Sequence, residues 1–113
     1  MPWKKAREKR NSAVPRIKVV VDPELQPIMG RYMEIRHKEQ DRLEAALADQ
    51  DPESVRMLGH KLKGTGASFG FDHLTEWGAA IELAARDGDL DRAAGVAAEV
   101  RHFLDNVDIV YGE

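Results

Sequence analysis

The tripeptide Asp-Pro-Glu occurs twice, at 22–24 and at 51–53, and each copy precedes a long stretch with helical periodicity. Aspartate is a strong N-cap, and proline suits the first helical position because the N–H it lacks would have no partner there. Pro27 bends or restarts the first helix. From Ile28 to about Ala48 the apolar residues Ile28, Tyr32, Ile35, Leu43, Ala46 and Leu47 mostly keep helical spacing. The second helix runs to Ser68 or Phe69, where Gly70 can take the left-handed conformation that ends a helix. A third opens at Asp72 or its neighbour and carries Leu74, Trp77, Gly78, Ile81 and Ala85 on one stripe. Gly88 closes it and Asp89 caps a fourth, whose inner face holds Ala93, Val96, Ala97, Val100, Phe103, Leu104 and Val107. RIKVVV, at 16–21, reads as a short extended piece, and no pair of strands is evident. The turns ADQDPES and ARDGDLD look alike because they share helix-start chemistry, not because the chain repeats. Amphipathic helices joined by turns of about 2–5 residues lie as antiparallel neighbours. The expected fold is all-α: an antiparallel up-down-up-down four-helix bundle with a short N-terminal helix or cap.

Composition narrows the function classes. The chain has 113 residues, the length of one domain, and 42% hydrophobic residues, enough for a modest core. No apolar run approaches a membrane span, and no apolar h-region follows the N-terminal charges. With no cysteine, disulfides, thiol chemistry and thiolate metal sites are excluded, which fits a cytoplasmic location. Residues 1–18 hold seven Lys/Arg against one acid, Glu8, a net of +6. The whole chain is −3, so residues 19–113 carry −9. The expected division is a basic, flexible tail over 1–18 and a folded domain over 19–113. That domain is too acidic to be a nucleic-acid platform.

The stretch GHKLKGTGASFG, residues 59–70, sits in the second helix yet carries glycines at 59, 64 and 66. Each interior glycine costs a helix about 1 kcal/mol against alanine. A phosphate-binding P-loop does not explain them, because Gly64 is followed by Thr65 and not by the required lysine, and no strand precedes. The helical wheel explains Gly64. With His60 at 0° and a step of 100° per residue, Val55, Leu58, Leu62 and Phe69 fall between about 160° and 220° and form the core stripe. His60 is opposite. On its side lie Gly64, Met57, Ala67, Arg56 and Lys63, within about 60° of it. One turn beyond His60 there is no side chain, so another protein can reach the imidazole. Lys63 places a positive charge where an anion on the ring would lie. An exposed imidazole is largely neutral at pH 7 and offers a nucleophilic nitrogen, and a phosphoryl group is the anion that fits a nucleophilic histidine beside a lysine. Gly59 and Gly66, on the flanks, suit close helix packing.

The run His60-Lys61-Leu62-Lys63-Gly64-Thr65-Gly66-Ala67-Ser68-Phe69-Gly70 resembles the HxLKGxxxxxG signature of histidine-containing phosphotransfer (HPt) domains. The resemblance continues through Leu74 and the Ile81-Glu82 pair and covers roughly residues 19–110. It implies a four-helix bundle whose histidine, here His60, takes a phosphoryl group from a receiver-domain aspartate or a kinase and passes it to another receiver. It implies that Lys63 supports the phosphoryl group, that Gly64 gives access, and that Glu82 lies beside the imidazole, where its carboxylate can accept the Nδ1 proton and orient the ring. The chain is then a stand-alone phosphocarrier without ATP hydrolysis or autophosphorylation. It has no cofactor of its own, since Mg2+ is expected on the partner receiver domain. Its expected partners are response-regulator receivers and a hybrid sensor histidine kinase, and it is expected to be a monomer.

Arg56, Met57, Lys61 and Ala67 are the expected docking surface around His60. His37, His73 and His102 read as surface or edge histidines. His37 and Asp41, one turn apart, are too few for a metal site. Trp77, Phe69 and Phe71 read as core and rim packing. The rival function is a helical adaptor that binds receivers or kinases without carrying phosphate. A more distant one is nucleic-acid binding through the basic tail.

Overall fold

The computed structural model describes residues 17–112. Most of the basic segment expected to be a tail, residues 1–16, lies outside them, and Ile17 and Lys18 begin a strand. The described chain runs β1 (Ile17–Val21), a 3-10 turn (Pro23–Leu25), α1 (Gln26–Ala48), α2 (Pro52–Phe69), α3 (Asp72–Arg86), α4 (Leu90–Asn106) and β2 (Val107–Tyr111). α1 packs on α2 and α4, and α3 packs on the same two, so the helices close around one core.

The punctuation seen in the sequence sets the boundaries. The Asp22, Asp51 and Asp89 carboxylates accept the backbone N–H of Glu24, Ser54 and Arg92, at 2.9, 3.3 and 3.1 Å. Gly70 ends α2 with φ +78°, and Gly88 follows α3 with φ +73°, in the left-handed region that favours glycine. The core contains Val55, Leu62, Phe71, Leu74, Ile81, Ala93, Ala97, Val100, Phe103 and Leu104. Tyr32 stacks on Phe69, with ring centroids 4.0 Å apart, and on Phe71, at 5.5 Å.

Two details differ from the sequence reading. The fourth helix ends at Asn106, and Val107 starts β2, which pairs in parallel with β1 from Ile17–Val107 to Val21–Tyr111. Val107 falls on the apolar face of the preceding helix, so helical spacing ran through the boundary. A pair joining the first and last described elements also leaves no hairpin signal. Four alternating helices return the chain so that β2 runs with β1. In α1, Ile28 is exposed and Ile35 half-buried, while Met29, Tyr32, Arg36, Gln40, Leu43 and Ala46 face inward. Arg36 and Gln40 are polar, so apolar spacing could not mark this face. Arg36 is 5% exposed and bonds Glu39 at 2.6 Å and Thr65 at 3.0 Å. Gln40 Nε2 donates to the Ala97 carbonyl at 2.9 Å, tying α1 to α4.

α2 and α3 are pressed together by glycine. A Cβ on Gly59 would stand 2.8 Å from the Glu82 nitrogen, and one on Gly66 2.8 Å from the Thr75 nitrogen. One on Gly78 would meet the Lys63 nitrogen and stand 2.7 Å from the Gly59 oxygen. These are backbone atoms, which cannot yield as a side chain can. A Cβ on Gly64 would meet nothing within 4 Å. Gly78→Ala should therefore lower unfolding stability by about 1–3 kcal/mol. Gly64→Ala should raise it by up to about 1 kcal/mol, since only helix propensity changes. Urea denaturation of the two variants checks the contrast; equal midpoints would contradict the seam.

Candidate functional site

His60 lies mid-way along α2 on the side away from Val55 and Leu62, and its side chain is 65% exposed. α3 crosses beside it at glycine distance. That closeness places the Glu82 carboxylate, on α3, under the imidazole edge. Glu82 Oε2 is 3.1 Å from His60 Nδ1 and 3.3 Å from Arg86 Nη2, and Oε1 is 3.1 Å from Lys63 Nζ. The Glu82 side chain is only 7% exposed. A buried carboxylate needs such partners, because a charge taken from water without them is costly. The Lys63 hydrogen bond pulls the Glu82 pKa below the usual glutamate value, burial opposes that, and the charge of Lys63 and the contact with His60 add to the lowering. Glu82 is thus an anion at neutral pH. An anion accepts and cannot donate, so the hydrogen on this bond belongs to Nδ1; in the neutral ring the lone pair is then on Nε2.

Around the ring the helix is open. Gly64 has free space where a side chain would be. Met57 is 55% exposed, and Ala67 is exposed. Arg56 is held by Glu53, with two hydrogen bonds of 3.0 and 2.7 Å. Lys61 Nζ is 3.3 Å from Glu39 Oε2, so the α1 edge helps to neutralise this face. The structure therefore brings His60, Lys63 and Glu82 into direct contact. It leaves Gly64, Met57, Lys61 and Ala67 on the surface about them and Arg56 half-buried there. The Lys63 ammonium beside the ring rests on Glu82. Sequence reasoning missed Arg86 and Glu39. The i, i+4 spacing of Glu82 and Arg86 was a signal for the first. Nothing local linked Glu39 to Lys61.

The profile of the Hpt domain family matches residues 32–109. The chain belongs to the Hpt domain family. No curated protein and no solved structure matches it. The Hpt match runs from Tyr32 in α1 to Ile109 in β2 and includes His60, Lys63, Gly64 and Glu82. Hpt domains are helical bundles that serve as phosphocarriers in two-component phosphorelays, where they meet receiver domains and kinases. Among the described residues no helix is long and apolar enough to cross a membrane.

Because the Glu82 pKa is depressed in the folded Hpt domain, the stability its charge contributes is complete above the ordinary glutamate value near 4.5. It is lost as pH falls through the lower, folded value. Urea midpoints of the native domain and of Glu82→Gln, compared from neutral pH down to about pH 3, should converge toward acid. A gap independent of pH would mean that the carboxylate charge holds nothing here.

Proposed function

We propose that this domain is a phosphorelay intermediate whose phosphoacceptor atom is His60 Nε2. The observation that carries the reading is the exposed imidazole held at Nδ1, 3.1 Å from a buried carboxylate. An orienting anion behind the ring leaves the other nitrogen facing solvent with its lone pair free.

A receiver domain carrying aspartyl phosphate docks over the face of Met57, Gly64, Ala67 and Lys61. The Nε2 lone pair forms the N–P bond while the P–O bond to aspartate breaks, and that electron pair leaves with the aspartate carboxylate. The phosphorylated ring keeps its Nδ1 hydrogen and becomes cationic, and Glu82 faces that charge. Lys63 is the nearest cation for the phosphoryl oxygens. The reverse step delivers the group to a second receiver. Positioning and charge neutralisation suffice for such transfers. The Mg2+ of the reaction belongs to the receiver partner, and a hybrid sensor histidine kinase stands upstream. Gly64 keeps the approach to Nε2 clear, at the expense of about 1 kcal/mol in helix propensity.

Incubation with a phosphorylated receiver should add roughly 80 Da, acid-labile and alkali-stable, to the peptide containing His60. His60→Gln should abolish the increase and leave the helical circular dichroism unchanged. If the variant still gains the mass, the phosphoacceptor lies elsewhere. If the native domain binds the receiver and gains none, the chain is an adaptor. Lys63→Ala should slow transfer about 10–100-fold, the worth of one charge-assisted contact. Gly64→Leu should weaken receiver binding; unaltered kinetics in either variant would remove the role given to that residue.

A further inference from the structure

Glu82 has two cations, yet the transfer chemistry needs one of them elsewhere. Lys63 Nζ sits on Oε1 at 3.1 Å and is 40% exposed, so it can swing outward. Arg86 Nη2 sits on Oε2 at 3.3 Å, the same oxygen that faces His60 Nδ1. Arg86 lies on α3 one turn beyond Glu82, so the pair belongs to a single helix and persists whatever α2 does. Arg56 and Lys61, the other cations of α2 at this face, are engaged by Glu53 and Glu39.

From this we infer that Arg86 is a positioning residue for phosphoryl transfer, holding the Glu82 carboxylate in place when Lys63 leaves it for the phosphoryl group. This rests on the relay reading above. A dianionic phosphoryl group draws Lys63 from a singly charged carboxylate. With Lys63 gone and no second cation, the buried carboxylate would face only the imidazole, and it would turn to solvent or take a proton. Either change releases Nδ1, and the lone pair is then no longer confined to Nε2. Arg86 prevents this because a guanidinium stays charged and its planar donors fit a carboxylate. Arg86 acts through Glu82 and does not touch the reacting atoms.

The role can be tested without phosphate. Lys63→Ala mimics the departure of the lysine, and ring 15N chemical shifts report which nitrogen of His60 bears the hydrogen. Lys63→Ala alone should keep the Nδ1–H form. Adding Arg86→Gln should lower the Nδ1–H population several-fold, and Arg86→Lys in its place should preserve it. Identical ring shifts in Lys63→Ala and in its Arg86→Gln double variant would overturn the proposal. Arg86→Gln on its own should slow acceptance from a phosphorylated receiver about 3–10-fold, as expected for a half-exposed ion pair, with Arg86→Lys restoring most of the rate. A native rate in Arg86→Gln would also overturn it. Should the native domain accept no phosphoryl group while the tautomer series behaves as expected, the relay reading fails and the hold on Glu82 stands.

Discussion

Everything at the site depends on how closely α2 and α3 approach. A glutamate on a neighbouring helix reaches a histidine's inner edge only when the backbones nearly touch, and here Gly59, Gly66 and Gly78 allow that contact. The surrounding features follow from it. Glu82 is buried because α2 covers it, it is charged because Lys63 reaches it from α2, and His60 is oriented because the carboxylate lies beneath one ring nitrogen. The glycines differ in purpose although they look alike in sequence. Those at 59, 66 and 78 bring helices together, while Gly64 faces open space and keeps a surface bare.

The chemistry follows from one asymmetric ring. An imidazole in water exchanges its hydrogen between two nitrogens, and either can attack. Fixing an anion at Nδ1 selects Nε2 without any further group touching it. In the relay proposed above, the same anion would neutralise the cation formed as the N–P bond is made. In the proposed relay the metal that phosphoryl transfer uses is one the partner receiver would bring. What the domain would contribute to that relay is a nucleophile of defined tautomer on an accessible helix. Elsewhere in the bundle, Gln40 to the Ala97 carbonyl and Arg101 to Asp41 and Glu44 tie α1 to α4.

Much of this was legible in the residues. The Asp caps, the terminal glycines and the stripe of Val55 and Leu62 gave the helix boundaries and placed His60 outward, and the family signature pointed to Glu82 beside it. What was not legible had non-local causes. The β1–β2 pair joins residues some 90 apart in sequence, and Val107 continues a helical pattern as well as it begins a strand. The inner face of α1 contains Arg36 and Gln40, whose burial is possible only because Thr65, Glu39 and the Ala97 carbonyl await them. The pairing of Lys63 with Glu82 required knowing the distance between two helices, which no wheel provides.

In the proposed relay the carboxylate on α3 decides which nitrogen of His60 carries the phosphoryl group. Phosphorylating the domain with 15N-labelled histidine and reading the ring nitrogens together with 31P by NMR addresses it directly. Phosphorus should be bonded to Nε2, with the hydrogen retained on Nδ1. Phosphorus on Nδ1, or an even mixture of the two, would contradict it.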